Sequence, residues 1–318
     1  MTLVIERPAL MMTVQDQGRS GYQRYGMPES GPMDWWAFKG ANILVGNQAD
    51  CACLEIGLSD AVMRVDGDAL MALCGAGYQL RVNQKDLPLW MAFKVRRGDL
   101  IELEKVLGGS WVYLAVAGGF LSPLWMGSRS YYLQAGLGHI FSPGDRLLFS
   151  SQAGSAFGLA GNNLQAASRP DYREHPHVRV ILGPHQSRFL VEGLQTFLNS
   201  VYSISPQSDR MGYRLDGPPL MHIQGADLVS QGMALGEIQV PAGGQPIVMM
   251  PDHPTTGGYT CIGTVARVDF PLLTQAQPGV SQIKFTFIEV SEAQENYKRV
   301  IHQLEDGPQD EEDLWMNI

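Results

Sequence analysis

The sequence predicts a mainly β protein with a few short helices. Three observations carry this. Its apolar residues fall in segments of four to ten, rich in Val, Ile and aromatics and bounded by Gly, Pro, Asp or Asn. Turn formers are abundant, with 36 glycines and 19 prolines in 318 residues. Only three stretches carry helix start and stop signals. Regularly spaced short strands point to barrels or sandwiches.

In chain order, Asp34 can cap a helix from Trp35 to about Val45, which Gly46 and Asn47 close. Strands follow: AVMRV from Ala61, QLRVN from Gln79, DLIELEKV from Asp99, WVYLAV from Trp111 and RLLF from Arg146. The turns Arg97-Gly98-Asp99 and Pro143-Gly144-Asp145 separate them, as Pro278-Gly279 does later, each offering a glycine for a positive φ. The polar stretch 151–177 has neither strand nor helix periodicity and reads as a linker. A second helix is predicted over Gln186–Leu198. More strands come next: VRVILG from Val178, EIQV from Glu237, PIVMM from Pro246, CIGTVARVDF from Cys261 and IKFTFIEV from Ile283. The last helix runs from about Ser291 to Leu304; Ser291 and Gln294 have capping-box spacing, and Gly307-Pro308 stop it. The expected organisation is a β domain over 1–150, a linker over 151–177, a β domain over 178–292, and a helix with an acidic tail over 293–318. A faint echo, Arg19-Ser20-Gly21-Tyr22 against Arg210-Met211-Gly212-Tyr213, hints at two similar halves.

Composition excludes several function classes. The net charge is −9, and no Lys/Arg block exists to neutralise nucleic-acid phosphates. Six of the acids, Glu305 to Asp313, lie in the last fourteen residues without a Lys or Arg, so the rest of the chain is nearer neutral. The longest apolar run, Trp111–Leu121, has eleven residues, too few to span a bilayer. Glu6 and Arg7 interrupt the first apolar stretch, so no signal peptide is expected. Cys51, Cys53, Cys74 and Cys261 lack CxxC spacing and read as reduced, mostly buried thiols of a cytoplasmic protein without a metal site. There is no GxxxxGK[ST], GxSxG or HExxH, and no strand–GxGxxG–helix unit.

Three segments are rich in glycine and polar groups. The first, Thr13–Asp34, places Asp16, Arg19, Arg24, Glu29, Ser30 and Asp34 among glycines that let backbone N–H groups approach a ligand. In the second, Ser205–Gly217, strand alternation would put Arg210 and Arg214 on one face, where their like charges call for an anion. Asp209 and Asp216 offer an internal alternative. The third, Met249–Val265, follows a strand with Asp252, His253, Thr255, Thr256, Gly257, Gly258 and Tyr259. Asp252 is a candidate general base and His253 its acid/base partner; the hydroxyls and Gly-Gly backbone suit a small polar substrate or a phosphate. A Gly-Gly hairpin around a buried aspartate is the alternative reading.

TVQDQGRSGYQRYGMPESGPMD, YLAVAGGF, GSRS, RMGYRLDG, GEIQVPAGGQPIVMMPDHPTTGGY and LLTQAQPG occur in this order. Together they resemble the carboxyltransferase-like family that includes the C-type subunit of 5-oxoprolinase, the kinase-inhibitor antagonist KipA and the carboxyltransferase part of urea amidolyase. The resemblance spans residues 1 to about 290. It implies two cyclophilin-like β-barrel domains with the active site between them, and a KipI-like B-type subunit as partner. It also implies a third, LamB/YcsF-type partner for oxoprolinase activity, in which ATP hydrolysis drives lactam opening to glutamate. Positions matching the family's site are Asp16, Arg19, Asp34, Ser128, Arg210, Arg214, Gln239, Asp252, Thr255, Thr256 and Tyr259. Two departures fall at that expected site: Tyr131 and Tyr132 follow GSRS, and His253-Pro254 precede Thr255, the latter closer to the urea-amidolyase-like branch.

The leading expectation is a component of an ATP-dependent 5-oxoprolinase, with Asp252, His253 and Arg210 catalytic and the other matched positions, with Gly257 and Gly258, binding substrate or nucleotide. Biotin-dependent carboxyl transfer to a urea-like amide is an alternative. The chain has no Met-Lys-Met acceptor, so any biotin would arrive on another protein. A KipA-like, non-catalytic antagonist is the third reading.

Overall fold

The computed structural model describes residues 1–150 and 153–305. The acidic tail lies outside the described residues. Among the described residues the fold is mainly β with four α-helices. The chain divides into two compact units. One holds residues 1–19 and 34–170 and the end of the last helix from Ile301; the other holds 20–33 and 171–300.

The first unit has two antiparallel sheets. The larger runs in the order Phe120–Leu121, Arg146–Phe149, Thr2–Arg7, Ala61–Asp66, Leu100–Lys105, Tyr78–Val82, Lys85–Leu87. The smaller runs Met11–Gln15, Cys53–Gly57, Trp111–Val116, Ala69–Gly75, Met91–Val95. They share one core, with Leu3, Ile5, Met63 and Ile101 from the larger sheet and Leu54, Leu73, Val112 and Leu114 from the smaller. Each such side chain contributes roughly 1.5–3 kcal/mol by leaving water. Burial alternates along Ala61–Asp66, whose other face meets solvent. Ala69–Gly75 and Trp111–Val116 are buried throughout. The helix Trp35–Leu44 packs on both, with Phe38 edge-on to Tyr113 at 6.2 Å between ring centres.

The second unit is a barrel. Its strands run His177–Leu182, Gln282–Phe287, Val201–Ile204, Gly212–Asp216, Ile247–Met249, Glu237–Val240, Thr256–Val265, and the last pairs back onto the first. Closure satisfies edges that would otherwise template aggregation. The strand Asp227–Gly232 stands outside the ring, paired with Thr256–Val265. The parallel pairing of His177–Leu182 with Gln282–Phe287 is braced by Asp269, which accepts Arg179 Nε at 2.7 Å and Nη2 at 2.6 Å. This is the expected mainly β class with a few short helices, and the second unit closes into a barrel.

Several expectations change in detail. The helix expected over Gln186–Leu198 is split: a 3-10 turn at Gln186–Arg188, then Val191–Asn199. Ser291 does not cap the last helix, which spans Val290–Glu305, because Ala293 N–H already bonds the Glu289 carbonyl. The strand from Cys261 stops at Val265, and Phe270–Gln275 is a helix with Pro271 in its first turn, where a missing N–H costs nothing. The stretch expected to link the halves holds two 3-10 turns, Ala153–Leu159 and Ala166–Ser168. Its middle runs beside Met91–Val95: Ala92 N–H reaches the Asn162 carbonyl at 2.9 Å, and Leu164 is buried. The echo between halves does not extend to the backbone, since Gly21 has φ of 88° while Gly212 opens a strand opposite Met249.

Among the described residues no helix is long and apolar enough to cross a membrane. The four cysteines are free, and Cys51 is half-buried. Burial pushes the Cys53 and Cys74 thiols well up, so neither is a ready nucleophile.

Candidate active-site cleft

The strands Gly212–Asp216 and Ile247–Met249 build the centre of the second unit's site. They pair antiparallel, Gly212 opposite Met249. The ladder continues past the strand ends, with Met250 N–H to the Met211 carbonyl at 3.1 Å and Asp252 N–H to the Arg210 carbonyl at 2.8 Å. This brings Arg210 and Asp252 side by side. Arg210 Nε donates to Asp252 Oδ2 at 2.8 Å and Nη2 to Oδ1 at 3.3 Å. Nη2 also donates to the Gly31 carbonyl at 2.6 Å, tying segment 20–33 to this unit. Both side chains are buried, at 7% and 5% exposure.

The expected common face for Arg210 and Arg214 is not formed. Asp209 accepts Met211 and Gly212 N–H groups in an Asx turn, and the regular strand starts only at Gly212. Arg210 therefore turns inward before alternation begins. Arg214 stands on the exposed face, with no carboxylate within 4.0 Å among the described residues.

Arg214 lines a cleft of ≈ 310 Å³ together with Asp209, Gln239, Thr256, Gly257, Gly258 and Tyr259. Gln239 is buried at 3% exposure, and its Nε2 lies 2.8 Å from Met233 Sδ. A Cβ at Gly257 would sit 2.3 Å from that sulfur and 2.8 Å from Gln239 Nε2, so glycine is what allows the amide its place. Thr255 is half-buried, and its carbonyl receives Met233 N–H. His253 does not line the cleft; its Nδ1–H donates to the Pro254 carbonyl at 2.7 Å. The methionines Met211, Met233 and Met249 on the walls gave no polar signal in the sequence. Alternation along PIVMM would have placed Met249 opposite Val248.

The remaining expected residues lie in the first unit. Asp16 is a clamp: Oδ1 accepts Ser128 Oγ at 2.5 Å, Ser130 Oγ at 2.7 Å and Gly18 N–H at 2.9 Å, and Oδ2 accepts Arg129 N–H at 2.6 Å. Arg19 is fully buried and donates to the Ser130 carbonyl. Asp34 caps the helix Trp35–Leu44 by accepting Trp36 and Ala37 N–H, both at 3.0 Å. Its own N–H meets Tyr113 Oη, which donates to Glu55 Oε2 at 2.7 Å. Burial, then the charges of Glu55 and Asp34, push the Tyr113 phenol well above its ordinary value, so it stays a donor. These residues organise loops and a helix start. Tyr131 is buried in the first unit as well.

Residues 25–287 match the carboxyltransferase domain, subdomain A and B. The chain is 34% identical over 310 residues to the C-type subunit of 5-oxoprolinase from Escherichia coli, covering 95% of this chain and 97% of that one. It is 31% identical to the Haemophilus influenzae protein of the same name, over 88% of this chain and 89% of that one. The K. lactis urea amidolyase structure superposes with a TM-score of 0.87 at 26% identity, over 95% of this chain but only 20% of that enzyme.

Proposed function

The chain belongs to the carboxyltransferase domain family, subdomain A and B, and from that premise we propose that it is the C-type subunit of a 5-oxoprolinase. In this reading it works with a KipI-like B-type subunit and a LamB/YcsF-type partner, and the assembled complex uses ATP to open the 5-oxoproline lactam. The observation that carries it is the cleft of the second unit, which offers one arginine without a carboxylate partner, one buried amide and a Gly-Gly backbone. 5-Oxoproline is a small monocarboxylate with one secondary amide. Arg214 suits its carboxylate, and the Gln239 amide can both donate to the lactam oxygen and accept from its N–H. Pairing of Thr256–Val265 with Asp227–Gly232 and Glu237–Val240 holds Thr256–Tyr259 beside them.

The same wall does not fit a triphosphate. Phosphoryl groups are held by several converging cations or N–H groups. Here Arg214 stands alone, and Asp209 shares its cleft. ATP is therefore assigned to the assembled complex, and no step through it is placed on these residues. The test is reconstitution of the chain with both partner proteins. 5-Oxoproline-stimulated ATP hydrolysis that requires this chain is expected; its absence from a correctly assembled complex contradicts the reading.

The likeness to urea amidolyase favours one second reading, carboxyl transfer from biotin carried on another protein to a small amide. Bicarbonate- and biotin-dependent carboxylation of urea by the same complex would replace the first reading, and activity that persists after avidin treatment would exclude the second.

A further inference from the structure

The first unit has a cleft of its own, ≈ 370 Å³, that the proposed reaction leaves unused. It lies within the size range of small-molecule pockets, roughly 300–1,000 Å³. Tyr131, Phe141 and Leu147 form its buried floor, while Trp125, Leu121 and Leu148 are large apolar side chains left 43%, 44% and 53% exposed around it. Its charged groups differ. Arg146 is already paired with Asp66 at 2.6 Å, and His139 lies 3.5 Å from Asp145. Arg129 has no carboxylate within 4.0 Å among the described residues; its side chain donates to the Ser122 carbonyl. The Ser122 hydroxyl, in the same lining, is buried without a hydrogen-bond partner. The Asp16 clamp fixes the loop that presents Arg129 by holding its N–H at 2.6 Å.

A half-buried cation and an unsatisfied hydroxyl beside an aromatic floor call for a ligand that is anionic at one end and apolar at the other. We propose that this cleft binds a small organic carboxylate with an aromatic or branched apolar body, its carboxylate received by Arg129 and Ser122. Tyr131, one of the two tyrosines that set this sequence apart after GSRS, then contributes to the floor that selects the apolar body.

Isothermal titration of the full chain with hydrocinnamate and with its uncharged amide tests this. Hydrocinnamate is expected to bind with a Kd on the order of 0.1–1 mM. The amide should bind about tenfold more weakly, since a hydrogen bond to a charged group is lost. Arg129→Gln should abolish the preference for the carboxylate, and Trp125→Ala should weaken both probes. Unchanged thermal unfolding of the variants shows that the fold persists. A crystal soaked with hydrocinnamate should place the carboxylate beside Arg129, a readout independent of any variant. Absence of binding by the wild-type chain overturns the proposal and leaves the cleft to a macromolecular contact. An equal preference in Arg129→Gln, or density elsewhere, overturns it too.

Discussion

Replacing Asp252 with Asn separates a catalytic base from a buried ion pair. The substitution leaves the Arg210 guanidinium at 7% exposure facing a neutral amide. Removing one partner of a buried pair costs ~3–5 kcal/mol. Arg210 keeps the Gly31 carbonyl, and Asn keeps one acceptor oxygen, so the lower end, about 3 kcal/mol, is expected. For a unit of this size each kcal/mol moves Tm by roughly 2–4 °C, giving a fall of about 6–12 °C. The double variant Arg210→Met, Asp252→Leu removes both charges together. It should cost about 2 kcal/mol less than the two single changes added, the signature of coupled neighbours. Thermal scans by circular dichroism of wild type, Asp252→Asn, Arg210→Met, Asp252→Leu and the double variant measure this. Additive losses, or an Asp252→Asn protein within about 1 kcal/mol of wild type, would refute the structural assignment and restore Asp252 as a free base.

Gly257→Ala should force Gln239 and Met233 apart, raising the KM for 5-oxoproline about tenfold while Tm changes little, and steady-state kinetics of the reconstituted complex reads it. Asp16→Ala strips the acceptor from two hydroxyls and two N–H groups in a buried loop; denaturant titration should show a loss of about 3 kcal/mol, partly recovered in Asp16→Asn. His222 is held below its ordinary value by burial, while its Nε2 lies 2.7 Å from Thr260 Oγ1. The unfolded chain then binds the proton more tightly, so stability should fall as pH drops through the unfolded value near 6.5 and level off below the folded one. His222→Asn should flatten that limb of a Tm-against-pH series.

Much of the architecture was legible where pattern and physics agree. Asp34 caps its helix as residue type and position required, and the alternating segment from Ala61 is a half-exposed strand. The run Ala69–Gly75 is not legible, because it is buried on both faces, so lacks alternation, and also lacks the Val, Ile and aromatic residues that mark the equally buried Trp111–Val116. The site was legible as three glycine-rich segments but not in its division of labour. Arg210 and Arg214 look equivalent four residues apart, and only the Asx turn at Asp209 makes one a buried strut and leaves the other an exposed side chain lining the cleft. Likewise Asp16, Ser128 and Asp34 look alike as polar residues in glycine-rich segments, yet Asp16 and Ser128 bond each other across two distant loops while Asp34 bonds its own helix start. Whether a polar group faces a ligand or a neighbouring backbone depends on long-range pairing, which local spacing does not encode.

The central claim is that the second unit's cleft receives the carboxylate of a small cyclic amide through Arg214. Arg214→Gln in the reconstituted complex tests it most directly, through the 5-oxoproline dependence of ATP hydrolysis. The exposed side chain contributes little to stability, so Tm should stay within about 2 °C of wild type. Loss of a charge-assisted hydrogen bond should raise KM about ten- to a hundredfold. A KM equal to that of the wild-type complex would contradict the account.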